Sequence, residues 1–227
     1  MTRLNLCCGT NVFPNWINID KTDVDGDYLR HMREAHPDFR WPDAQQPIAD
    51  AVKRGTLTFK RHDVREGLPF SDGSVDAIYI GQAIEHFNRR TEAPRLLREC
   101  RRVLKQYGVI KLTTPDLYRI ASVWAVESAD GDWGFQDQGM EQWDKDQPAF
   151  YADAEPDDRL AYLLFGASGD NCTAENYEGH FHCYTPKTLG LLLGECGFDQ
   201  RSKDSPEFTD TLDMGMSHSF AIEGCKP

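Results

Sequence analysis

Short apolar runs and segments of helical period alternate along this chain, and that alternation limits its fold more than any other feature. The runs LNLCC (Leu4 to Cys8), INI (Ile17 to Ile19), LTFKR (Leu57 to Arg61), VDAIYI (Val75 to Ile80) and VIKLTT (Val109 to Thr114) are rich in branched or aromatic residues. Gly, Pro, Asn or Asp bound them, so each reads as a strand. Between the last two, Leu96, Leu97, Cys100, Val103 and Leu104 recur at helical spacing, with Arg95, Arg98, Arg102 and Lys105 on the opposite, solvated face. Tyr107-Gly108 is expected to end that helix, since Gly commonly follows a helix end. A second helix is predicted to open at Thr185-Pro186, a side-chain cap followed by Pro in the first turn, and to stop at Gly197. Its inner face would carry Leu189, Leu192, Leu193 and Cys196. Strands alternating with helices imply an α/β fold with a mostly parallel central sheet and helices on both faces. Ligands in such sheets sit at the carboxyl ends of the strands.

A chain of 227 residues can bury one substantial core, so 1–227 is read as a single domain. No run of about 18 apolar residues predicts a membrane span, and no basic-then-apolar opening predicts secretion. The seven cysteines read as reduced thiols in a cytoplasmic protein. Charge is unevenly placed. Residues Glu127 to Asp158 hold eleven acids against one base, Lys145, a net of −10 that leaves only −2 of the chain's −12 for the rest. This acidic insertion after the fifth strand, taken with its flanks as 117–178, is expected to form a lid or substrate segment. Trp133, Phe135, Trp143, Phe150 and Tyr151 lie among its acids and would suit an amine through cation–π contact. Nucleic acid is disfavoured, because phosphate binding needs clustered Lys and Arg.

The opening stretch RLNLCCGTNVFPNWINID sets a small-residue turn after the first strand and an acid, Asp20, at the end of the second. Small residues allow close backbone approach, and a strand-end carboxylate can accept hydrogen bonds from paired ribose hydroxyls. This stretch, then RHDVREGLPFSDGSVDAIYIGQAIEHF, LLRECRRVLKQYGVIKLTTPDL and GHFHCYTPKTLGLLLGECGF, resembles in order the class I S-adenosylmethionine-dependent methyltransferases. The resemblance is to a compact subgroup whose chain starts almost directly on the first strand. It implies a Rossmann-like methyltransferase fold, S-adenosyl-L-methionine as cofactor and a small-molecule acceptor, an amine or a hydroxyl compound. The chain departs from the pattern at Asn5, where an acid is usual, at Cys7, where Gly is usual, and at Tyr107, where Gly-Gly is usual. Cys7 is tolerable there if its φ stays negative.

The resemblance also implies residue roles. Asp20 would hold the ribose hydroxyls. Asp63 and Val64 would read the adenine, although Asp63 is equally a turn acid. Gly81 and Gln82 would meet the methionine part, with Asn5, Cys7 and Gly9 on the other side. Transfer of an activated methyl is mainly a matter of positioning, and His86 or His180 would serve as base if the acceptor carries a proton. His180, His182 and Cys183 are all ligand types, but their spacing matches no usual zinc pattern, so no metal is expected. Asp116, after Pro115, reads as a helix cap, with Tyr118 beside it facing substrate. Two alternatives compete: a non-catalytic relative that binds the nucleoside or a protein partner, and a nicotinamide-dependent dehydrogenase. The second lacks the full G-x-G-x-x-G run.

Overall fold

A computed structural model describes residues 1–9, 11–21, 54–122, 180–201, 205–209, 211 and 219–227. The acidic segment Glu127 to Asp158, and all of 117–178 beyond residue 122, lie outside the described residues.

Seven strands form one sheet in the order β3-β2-β1-β4-β5-β7-β6. They are β1 (Arg3–Leu6), β2 (Ile17–Asp20), β3 (Thr58–Arg61), β4 (Val75–Gly81), β5 (Leu104–Pro115), β6 (Asp199–Arg201) and β7 (Ser219–Cys225). The first five pair in parallel, and β7 runs antiparallel to both β5 and β6. Helix α1 (Glu92–Val103) leads into β5 and α2 (Pro186–Glu195) into β6. Because β1 lies between β2 and β4, the strand order reverses there, and a crevice opens beyond the carboxyl ends of β1 and β4.

The sheet faces follow from strand alternation. Leu4, Leu6, Ile78, Ile80, Ile110 and Leu112 point to one face and pack against Leu96, Leu97 and Cys100 of α1 and Leu189, Leu192 and Leu193 of α2. The intervening Ala77, Tyr79 and Val109 meet Phe13, Trp16 and Phe208 on the other. Phe13 sets its ring edge-on to both Trp16 and Tyr79, at centroid distances of 5.7 and 5.2 Å.

Helix ends show where local chemistry decides. Thr185 caps α2 in a reciprocal box with Thr188, and Gly197 beyond its end takes φ 84°. Asp116 accepts the N–H of Tyr118 at 3.0 Å, so it is a cap, as expected. Helix α1, by contrast, ends at Val103 and not at Tyr107-Gly108. Leu104 keeps the apolar period but is already extended and pairs with Val75 of β4. Between that pair and Ala77–Val109 the register shifts, and Tyr107 takes φ 66° in the resulting irregularity. Lys105 accordingly lies on β5, where it pairs with Asp76 at 2.7 Å. Nor is Arg102 merely solvated. Its guanidinium binds Glu99, Asp72 and the carbonyls of Leu68 and Phe70, clamping the loop before β4 onto α1.

Beneath the first turn lies a buried amide pair. Asn18, fully buried on β2, accepts from Asn5 Nδ2 at 2.9 Å and from the Phe13 N–H at 2.9 Å. It donates to the carbonyls of Phe13, Trp16 and Thr58. Removing one centre of such a network strands several buried groups at once, each at about 1–3 kcal/mol. Asn18→Ala should therefore lower stability in urea by roughly 2–4 kcal/mol; an unchanged midpoint would show that the network contributes nothing.

Candidate functional site

The crevice is shaped by two sharp turns. After β1 the chain enters left-handed conformations at Cys7 (φ 53°) and Gly9 (φ 48°). The Cys8 N–H donates to the Ile19 carbonyl at 3.1 Å and the Gly9 N–H to Asp20 Oδ2 at 2.9 Å, so the turn is tied to the end of β2. Asn5 Nδ2 braces it from below through the Asn11 carbonyl. After β4 the chain turns left-handed again at Gln82 (φ 49°), whose amide donates to the Thr113 carbonyl and whose side chain donates to Ser219. A left-handed residue other than Gly costs about 1–2 kcal/mol. Such strain gathers at functional sites. Cys7 and Gln82 both wall one cavity of about 210 Å³.

That cavity brings together six of the residues singled out from sequence: Cys7, Asp20, Asp63, Val64, Gln82 and His86. Asp63 also caps the turn Val64–Glu66 through the Arg65 N–H at 2.9 Å. Three others stand apart from it. Asn5 is buried with its amide committed to Asn11 and Asn18, so it supports the turn and does not line the cavity. This also accounts for the missing acid, since a carboxylate could donate to neither partner. Gly9 is exposed and meets the site through Asp20. Gly81 is needed for packing: an added Cβ would fall 2.6 Å from the Tyr79 ring. The remaining wall, Lys21, His62, Arg65, Ala83 and Phe87, escaped the sequence reading. Arg65 lies 4.6 Å over the Phe87 ring and bonds Glu92 at 3.0 Å. His62 donates from Nε2 to the Gly67 carbonyl at 2.6 Å. Only the neighbourhood of Asp63 hinted at these two.

His180 sits beside the cavity wall, against His86. The Glu85 carbonyl accepts the N–H groups of Phe181 and His182 at 2.8 and 3.2 Å, which folds that segment over the turn Ile84–His86. The two imidazole rings meet edge-to-face with centroids 4.8 Å apart. Glu85 itself is 2 % exposed and accepts the Thr114 hydroxyl at 2.9 Å. Burial pushes its carboxyl up to about 7, against the opposing pull of its own amide and of Thr114. Ligand-type atoms of Glu85, His86 and His180 lie within 4.8 Å of one another, whereas His182 turns its ring onto Tyr184. Sequence spacing grouped His180 with His182 and Cys183; the fold groups it with Glu85 and His86.

Comparison with known proteins agrees with this architecture. Residues 6–112 match a family model described as a methyltransferase domain. The PH0226 protein from Pyrococcus horikoshii OT3 is 17 % identical, with 100 % of this chain and 82 % of that one covered, at a TM-score of 0.50. An S-adenosylmethionine-dependent methyltransferase from Methanosarcina mazei is also 17 % identical, covering 99 % of this chain and 92 % of its own, at 0.49. No curated protein matches the chain. The match thus places a methyltransferase-domain pattern on residues 6–112, and the fold is the one shared with the Pyrococcus protein. A methyltransferase domain of this description would take S-adenosylmethionine as its cofactor. The donor set fits it: a strand-end carboxylate, a close backbone turn beside it, and a second acid at the end of β3. Among the described residues no helix is long and apolar enough to cross a membrane, and the described cysteines are all free.

Cys7 is set to be a packing thiol. Burial chiefly, with help from Asp20, pushes it up to about 12, so almost no thiolate exists near neutrality. Alkylation by iodoacetamide at pH 8 should leave Cys7 unmodified in the folded chain and label it after denaturation, as read by peptide mass spectrometry. Rapid labelling of the folded chain would contradict this.

Proposed function

We propose that this chain methylates a small-molecule acceptor bearing a hydroxyl or an amine, with the cavity at the ends of β1, β2 and β4 holding the cofactor. The observation that carries the reading is the joining of Gly9 to Asp20 beside two strained turns in one cavity. S-adenosylmethionine, when bound, supplies a methyl group already activated by a positive sulfur. Asp20 would then accept from the paired ribose hydroxyls while keeping its bond to the Gly9 amide. Asp63 and the Val64 backbone would take the adenine edge, and Gln82 with the Cys7–Gly9 turn would meet the amino-acid part. His86, on the cavity wall, takes the proton from the acceptor as the new bond forms. His180 packs on the His86 ring and fixes its orientation.

Because Asp20 also holds the turn, the informative change is Asp20→Asn, which keeps an acceptor for Gly9 and removes the charge. Charge-assisted hydrogen bonds are about twice as strong as neutral ones. Affinity for S-adenosylhomocysteine should fall at least tenfold, about 1.4 kcal/mol, with the thermal midpoint little changed. Calorimetry showing equal affinity in the folded variant would remove Asp20 from the site. Acceptors can be surveyed among amines and hydroxylated metabolites by the S-adenosylhomocysteine released. With an acceptor in hand, His86→Ala should lower kcat at least tenfold and leave cofactor affinity within about twofold; equal losses in both would make His86 a cofactor-loop support.

A further inference from the structure

We propose that Glu85, His86 and His180 form a binding site for a divalent first-row transition metal on the acceptor side of the cavity. Two imidazoles and one carboxylate are the donor set that zinc and its neighbours take, leaving further positions open. Donor atoms on one such ion stand about 2.0–2.2 Å from it, hence at most about 4.4 Å apart. The three side chains already bring theirs within 4.8 Å, so a closing of about 0.4 Å completes the set.

Three features beyond proximity favour a cation there. Glu85 is a buried carboxyl that forms no ion pair among the described residues, and a buried charge is costly unless paired or bound to metal. The Thr114 hydroxyl bonds this carboxylate at 2.9 Å, the kind of outer contact that orients a metal ligand. The arrangement is also held by backbone: the Phe181 and His182 amides on the Glu85 carbonyl fix the His180 segment over the turn that carries the other two ligands. Nearby, the fully buried Tyr184 leaves its hydroxyl without a hydrogen-bond partner among the described residues. Since His86 lines the cavity, an ion here would favour acceptors that offer an oxygen, whose proton the ion would acidify in place of a metal-bound His86 acting as base; this refinement rests on the methyltransferase reading, while metal binding itself does not.

The test is calorimetric titration of the tag-free full chain, stripped with chelator, with Zn²⁺ alone and Mn²⁺ alone. The expected result is saturable uptake of one ion with a rise in thermal midpoint. His180→Ala and His86→Ala should each weaken it at least tenfold, and His182→Ala should leave it unchanged. Glu85→Gln should behave like the first two; if that buried substitution fails to fold, His180→Ala, at a half-buried position, still decides. Absence of saturable binding, or binding that survives His180→Ala and His86→Ala, would overturn the site. Because the readout is metal uptake, its failure would leave cofactor binding and methyl transfer untouched.

Discussion

The hydrogen bonds of Asn18 to Asn5 and to the loop between β1 and β2 are the constraint on which the site depends. Asn5 Nδ2 reaches both Asn18 and the Asn11 carbonyl, so the amides join the floor of the sheet to the turn that carries Cys7 and Gly9. From that fixed turn the Gly9 amide meets Asp20, and the crevice between β1 and β4 acquires its shape. Two amides in a buried place are worth their burial only when every polar atom finds a partner. Here Asn18 makes five such contacts, which specify the register of β1, β2 and β3 as well as the turn.

Sequence patterns revealed the frame because the frame is made of short-range signals. Branched runs marked the first five strands, and Thr185 followed by Pro186 marked α2 through a capping box that needs only four residues. Asp116 was legible for the same reason. The end of α1 was not, because Leu104 stays in helical phase and only its pairing with Val75 draws it into the sheet. Strand β7 was missed since Glu223 and Gly224 interrupt its alternation. In the fold Glu223 is fully buried and accepts both the amide and the hydroxyl of Ser205, a partner that no local pattern announces.

The site was legible in a similar, partial way. Asp20 at the end of β2, and Asp63 and Gln82 just past β3 and β4, were legible as cavity-lining positions from their strands, and His86 from the Ile84–His86 turn that follows. Cys7 was read as tolerable if its φ stayed negative; the turn instead holds it at 53°, left-handed, where Gly would be unstrained. Gly81 proved a concession to the Tyr79 ring, and Asn5 a brace. Glu85 was overlooked because its meaning comes from a segment far along the chain, residues 180–182, folding back over it through two backbone hydrogen bonds. Such non-local closure is invisible to spacing.

If the proposed function holds, the crevice beyond β1, β2 and β4 is an adenosylmethionine site. Mass spectrometry of small molecules released from the purified full chain, supported by calorimetric titration with S-adenosylmethionine and with NAD, tests it most directly. Adenosylmethionine or adenosylhomocysteine should appear among the released molecules, with saturable one-to-one binding of S-adenosylmethionine and no binding of NAD. Saturable NAD binding with no response to S-adenosylmethionine would contradict it.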